Sequence, residues 1–97
     1  MLAFIYRCRR GDIMTIAAIS TAVGESGIGI VRISGKNALN IGNIIFKGNK
    51  VKELNEDYNR KLIYGHIVDK KNNQLIDEVL ISYLKGPHTY TREDMVE

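Results

Sequence analysis

Arg32 is the residue in this chain whose type and setting most clearly suggest chemistry. It stands in the run Ile28-Gly29-Ile30-Val31-Arg32-Ile33. A permanent cation in so apolar a segment needs a partner or an exit to water. Gly24, Gly27 and Gly29 precede it. Glycine lets a backbone take φ > 0, or come close to a ligand or another strand. The stretch thus combines a guanidinium with backbone that a bound molecule can approach closely.

Other chemistries find no support. Gly29 to Lys36 resembles a phosphate loop, but G-x-x-x-x-G-K-[ST] requires glycine at position 30 and Ser or Thr at 37, where the chain has Ile30 and Asn37. The glycines read G-x-x-G-x-G, which also fails the dinucleotide pattern. His66 and His88 lie far apart, and Cys8 has no neighbour of ligand type, so no metal site is expected. His66 alternates with Tyr64 and Val68 and reads as a hydrogen-bonded strand histidine. No Ser-His-Asp or Cys-His pair can be placed, so no catalytic residue is assigned.

The elements that must position Arg32 follow from periodicity. Thr15–Ser20 and Gly27–Ile33 read as strands, the second apolar on both faces and therefore central. Ser34 suits the N-cap of a helix running to about Lys47, with Gly48 as its stop. Residues 49–60 are polar and read as a surface loop with a short turn. Lys61–Val68 and Leu75–Leu84 form a hairpin across Asp69-Lys70-Lys71-Asn72-Asn73. Pro87 ends that hairpin's second strand. Met95-Val96-Glu97 begins another strand. The order β-β-α-β-β-β implies an α+β domain with a mixed sheet and packed helical structure.

Composition sets the bounds. The chain has 97 residues, 44% hydrophobic and 26% charged, as expected of one globular domain. No apolar run reaches the ~20 residues of a membrane helix. The net charge of +3 is concentrated at the start: three arginines, Arg7, Arg9 and Arg10, against Asp12 leave the remainder only +1. That body charge argues against direct binding of nucleic-acid phosphates. One cysteine cannot form an internal disulfide, which fits a reducing, cytoplasmic setting. Residues 1–13 match nothing that follows. Codons for Arg9-Arg10-Gly11 can contain a bacterial ribosome-binding sequence just ahead of Met14. Residues 1–13 are therefore expected to be a non-native leader, loose or paired as an edge strand, with the domain spanning 14–97.

Thr15–Gly35, TIAAISTAVGESGIGIVRISG, resembles the N-terminus of the MnmE (TrmE) family of tRNA modification GTPases. Tyr64-Gly65-His66-Ile67, Ile76-Asp77-Glu78-Val79-Leu80 and the segment Gly86 to Glu97 agree in order and spacing. The last resembles the family form P-x-[ST]-[YF]-T-x-E-D. One departure is Ala22, where the family often has proline. The resemblance implies a fold like the tetrahydrofolate-binding domain of aminomethyltransferases, truncated at its C-terminus. It also implies a homodimer and a bound one-carbon donor, 5-formyl- or 5,10-methylene-tetrahydrofolate. In the family the whole enzyme modifies the wobble uridine of tRNA with the flavoprotein MnmG. GTP, Mg2+ and K+ act there in a GTPase domain that these residues do not include, so this piece alone is not expected to be catalytic.

Two folate-contacting family positions match Arg32 and Glu97. A carboxylate can accept two of the pterin's N–H donors side by side, a part Glu97 is suited to play. Arg32 can pair with a ligand carboxylate, a ligand carbonyl or Glu97 itself. Gly27 and Gly29 would permit close approach, though tight turns or strand packing also account for them. Tyr90 could supply an aromatic wall. The alternative is a purely structural dimerisation module that binds no folate.

Overall fold

In the computed structural model, which describes residues 3–7, 14–21 and 27–97, the strands divide between two sheets. The first holds β1 (Ala3–Arg7), β2 (Met14–Ile19), β3 (Val31–Ser34), β8 (Met95–Val96) and β7 (Tyr83–Leu84), in that spatial order. The second holds β4 (Phe46–Gly48), β5 (Ile63–Asp69) and β6 (Gln74–Ile81). These ladders are antiparallel, and an isolated parallel bridge joins Asn59 to Tyr83. One α-helix, α1 (Ala38–Ile45), is present among the described residues, giving a small α+β domain.

β3 is the middle strand of five, as its apolar pattern suggested. It is shorter than expected, because Ile30 N donates to the Thr21 hydroxyl at 3.3 Å rather than to a ladder carbonyl. Ile28, Ile30 and Val31 are exposed, so burial on both faces is not what makes the strand central. Pairing on both edges does, with β2 on one side and β8 on the other.

The helix also begins later than expected. Ser34 belongs to β3 and is not the N-cap. The chain turns at Gly35, whose φ of 141° favours glycine, and the helix starts after Asn37. Thr15, itself buried, accepts the Asn37 N–H through its hydroxyl at 3.2 Å and thereby ties the helix start to β2. At the other end Phe46 turns extended and pairs with Ile67. Phe46, Lys47 and Gly48 therefore form β4 instead of the helix's last turn and stop.

The core lies between the sheets and the helix. Ile33, Ala38, Phe46, Leu54, Ile81, Tyr83 and Val96 are its buried members. Leu54 corrects the reading of 49–60 as a polar surface loop: it is 1% exposed. Asn43 on α1 anchors it twice, donating Nδ2 to Leu54 O at 2.9 Å and accepting Leu54 N at 2.7 Å. The expected short turn follows as a 3-10 helix, Glu56–Tyr58, opened by Asn55, whose side chain accepts Asp57 N.

The hairpin forms near its expected limits, with a bulge between Ile67 and Val68. Gly65 lies under the Phe46 ring, and a Cβ there would come within 2.4 Å of it. The expected second strand, Leu75–Leu84, is in fact two. β6 ends at Ile81, Ser82 bridges, and β7 crosses into the first sheet. Ser82 exchanges backbone hydrogen bonds with Glu97 in both directions, at 2.9 and 3.0 Å. The hairpin's second strand thus positions the C-terminal residue.

Candidate functional site

The register of β3 on β8 pairs Ile33 with Val96 and Ser34 with Met95. Extending it by one residue sets Arg32 opposite Glu97. Arg32 Nε donates to Glu97 Oε1 at 2.8 Å, and both side chains are about one-third exposed, at 34% and 30%. The pair therefore answers the question raised by a cation in an apolar strand: Arg32 has both a partner and access to water. So exposed a pair contributes only about 0–1 kcal/mol to stability.

The pair leaves bonding capacity unused. Arginine carries five N–H donors and a carboxylate about four acceptor positions. Among the described residues, the Arg32 Nη groups and Glu97 Oε2 have no hydrogen-bond partner in the chain. Glu97 is held from behind by its two backbone bonds to Ser82. Donors and acceptor are thus presented together from a fixed backbone.

Tyr90 adds an aromatic surface. Its ring centroid is 5.2 Å from the Arg32 guanidinium carbon, and the residue is 83% exposed. Contact at this distance is attractive, worth about 0.5–1 kcal/mol at an exposed site. Tyr90 is carried by the segment 86–94, which is knit by its own polar groups. Gly86 N donates to Asp94 Oδ1 at 2.8 Å, and the Thr89 hydroxyl donates to Glu93 O at 2.6 Å. Gly35 N donates to Asp94 O, joining the segment to the turn after β3. The Arg60 guanidinium donates to His88 O from the other side. Arg92 takes a φ of 64°, a left-handed conformation uncommon for a residue with a side chain. Beneath lies Tyr83, whose phenol is pushed up from 10.0 by burial and then by the Asp94 carboxylate.

Three of the expected site residues, Arg32, Glu97 and Tyr90, are therefore brought together. Among the described residues, a Cβ at Gly27 would meet nothing within 4 Å, and one at Gly29 would meet only the Thr21 hydroxyl at 4.0 Å. Neither has a positive φ, so neither backbone conformation requires glycine. Gly24 and Ala22 lie outside the described residues. His66 is half-buried and meets Tyr64 edge-on at 5.7 Å, with no side-chain hydrogen bond among the described residues, contrary to the expectation of a hydrogen-bonded histidine.

Sequence reasoning missed Ser34. Its hydroxyl lies 2.6 Å from Thr91 Oγ1 and 2.8 Å from Glu93 Oε2. The signal was available: Ser34 is two positions after Arg32, on the same strand face, and Thr91 and Glu93 belong to the polar motif already noted.

Residues 15–97 match the family model of the GTP-binding protein TrmE N-terminus. The tRNA modification GTPase MnmE of Alkaliphilus metalliredigens is 59% identical over 83 residues, 86% of this chain and 18% of that protein. Its counterpart in Clostridioides difficile is 57% identical over the same shares. That of Bacillus subtilis (strain 168) is 49% identical, also over 86% of this chain and 18% of its own length. The chain thus spans 18% of the length of these relatives, and its residues 15–97 belong to the TrmE N-terminal domain family.

Proposed function

We propose that this domain binds a reduced folate, as 5-formyl- or 5,10-methylene-tetrahydrofolate, within a homodimeric tRNA modification GTPase. The observation that carries the reading is the one-third-exposed Arg32–Glu97 pair, with its unused Nη donors and Oε2 acceptor beside the Tyr90 ring. A reduced pterin offers complementary features: an edge of N–H donors for the carboxylate, carbonyl and carboxylate groups for the guanidinium, and a flat ring for the tyrosine. Open backbone beside Gly27 and Gly29 supports the same reading. The fold is taken to be that of the aminomethyltransferase folate domain, which superposition of an experimental structure would test.

In the whole protein, the one-carbon unit would serve modification of the wobble uridine in tRNA, with MnmG as partner, in the cytoplasm. GTP, Mg2+ and K+ would act in another part of the polypeptide, since no G-x-x-x-x-G-K-[ST] occurs here. Residues 1–13 are read as a leader. A native peptide spanning Arg10 to Met14 in mass spectrometry would refute this.

Calorimetric titration of the purified chain with 5-formyltetrahydrofolate tests the ligand. Binding is expected, weakened about tenfold or more by Arg32→Ala through loss of charge-assisted hydrogen bonds. Unchanged affinity in that variant would remove Arg32 from the site.

A second reading, a dimerisation module without a ligand, is favoured by one feature. Leu62, Ile76 and Leu80 are exposed on the hairpin, although soluble domains usually keep such clusters small. Sedimentation is the check. On this reading the chain is a dimer that Leu80→Ser dissociates, with no folate bound; a dimer indifferent to that substitution would discount the hairpin face.

A further inference from the structure

We infer that Ser34 is a positioning residue that holds Tyr90 over Arg32 through Thr91 and Glu93. Ser34 is 9% exposed, and its hydroxyl lies within hydrogen-bond distance of two side chains from one distant segment, 57 and 59 positions away in sequence. A hydroxyl has one proton to donate. The Glu93 carboxylate can only accept, so Ser34 gives its proton there. The 2.6 Å contact to Thr91 then requires the Thr91 hydroxyl to donate to Ser34. Thr91 Oγ1 keeps its acceptor role for Glu93 N at 3.4 Å. The relay therefore runs in one direction, Thr91 to Ser34 to Glu93.

That relay brackets the exposed tip of the segment. Thr91 adjoins Tyr90 in sequence, and Glu93 O also accepts the Thr89 hydroxyl. Residues 89, 91 and 93 are thus tied, directly or through the segment, to the strand that carries Arg32 two positions earlier. Among the described residues Tyr90 makes no hydrogen bond of its own, and its ring packs against the Arg32 guanidinium. Its placement over the guanidinium depends on neighbours that Ser34 holds. An alanine at position 34 would strand the buried side of the relay and free the tip.

The inference rests on the folate reading for its ligand, but its geometry can be tested without one. In the ligand-free chain, proton NMR should show the Arg32 side-chain methylenes displaced upfield by the Tyr90 ring. Ser34→Ala and Thr91→Val should both erase that displacement, and Ser34→Thr, which keeps the hydroxyl, should retain it. Thr91 is exposed, so its variant separates positioning from folding. In titrations with 5-formyltetrahydrofolate, Ser34→Ala should weaken binding about threefold to tenfold, the worth of one hydrogen bond. Ser34→Thr should restore it, and Ser34→Ala should add no loss in a Tyr90→Ala background. Arg32 signals unmoved in both Ser34→Ala and Thr91→Val would overturn the inference, as would an additive loss in the double variant. If the signals move as expected while the unsubstituted chain binds no folate, the positioning role stands and the folate reading falls.

Discussion

The two sheets are built on opposite plans. In the first, strand β3 is tied by polar side chains to a segment more than fifty positions away: Arg32 to Glu97, Ser34 to Thr91 and Glu93. In the second, β5 and β6 are sequence neighbours held by a local hairpin, with one face packed on Phe46 and the other presenting exposed Leu62, Ile76 and Leu80. The first sheet concentrates directional groups at its surface and leaves some of their capacity unused. The second buries apolar area on one side and leaves apolar area open on the other. On the proposed reading, ligand recognition falls to the first plan, since a bound molecule is oriented by hydrogen bonds and charge. Association with another surface would fall to the second.

The sharpest way to break this contrast is at the shared core. Leu54→Ala should lose about 2–5 kcal/mol in denaturant unfolding, because Leu54 is 1% exposed and doubly bonded to Asn43. Both sheets should melt together, whereas separate transitions for the two sheets would show that the core does not couple them. A smaller effect separates the plans directly. Gly65→Ala drives a Cβ to 2.4 Å from the Phe46 ring and 2.6 Å from Lys47 O, and should cost about 1–3 kcal/mol. Gly27→Ala, with nothing within 4 Å, should stay within about 0.5 kcal/mol. Equal costs would contradict the difference in packing.

The smallest effect is alkaline. The folded state raises the Tyr83 pKa above 10.0 through burial and then the Asp94 charge, so it favours the protonated phenol. The stability this gives is complete below pH 10.0 and is lost as pH rises through the raised value. Unfolding measured across that range should show a decline that Tyr83→Phe lessens. Identical declines in both proteins would assign the loss elsewhere.

The same contrast governs what could be read from sequence. The hairpin was legible because its turn and alternation are local. Arg32 was legible because a cation among Ile30, Val31 and Ile33 is a chemical anomaly in any fold. The helix start was not, because Ser34 looks like a cap but its hydroxyl is taken by Thr91 and Glu93, and Gly35 makes the turn. Leu54 was missed because one apolar residue in a charged stretch gives no period; its burial is decided by Asn43 on the helix. The break at Ser82 was hidden because β6 and β7 share one continuous alternation, and only the pairing with Glu97 moves the strand to the other sheet.

Recognition is proposed to lie on the first sheet at Arg32, and beside it at Glu97 and the neighbouring Tyr90. Backbone and side-chain NMR of the chain during titration with 5-formyltetrahydrofolate tests it directly. The expected result is saturable shifts centred on Arg32, Tyr90 and Glu97, with Leu62, Ile76 and Leu80 unmoved. Shifts centred on the hairpin face, or none at any residue at saturating ligand, would contradict it.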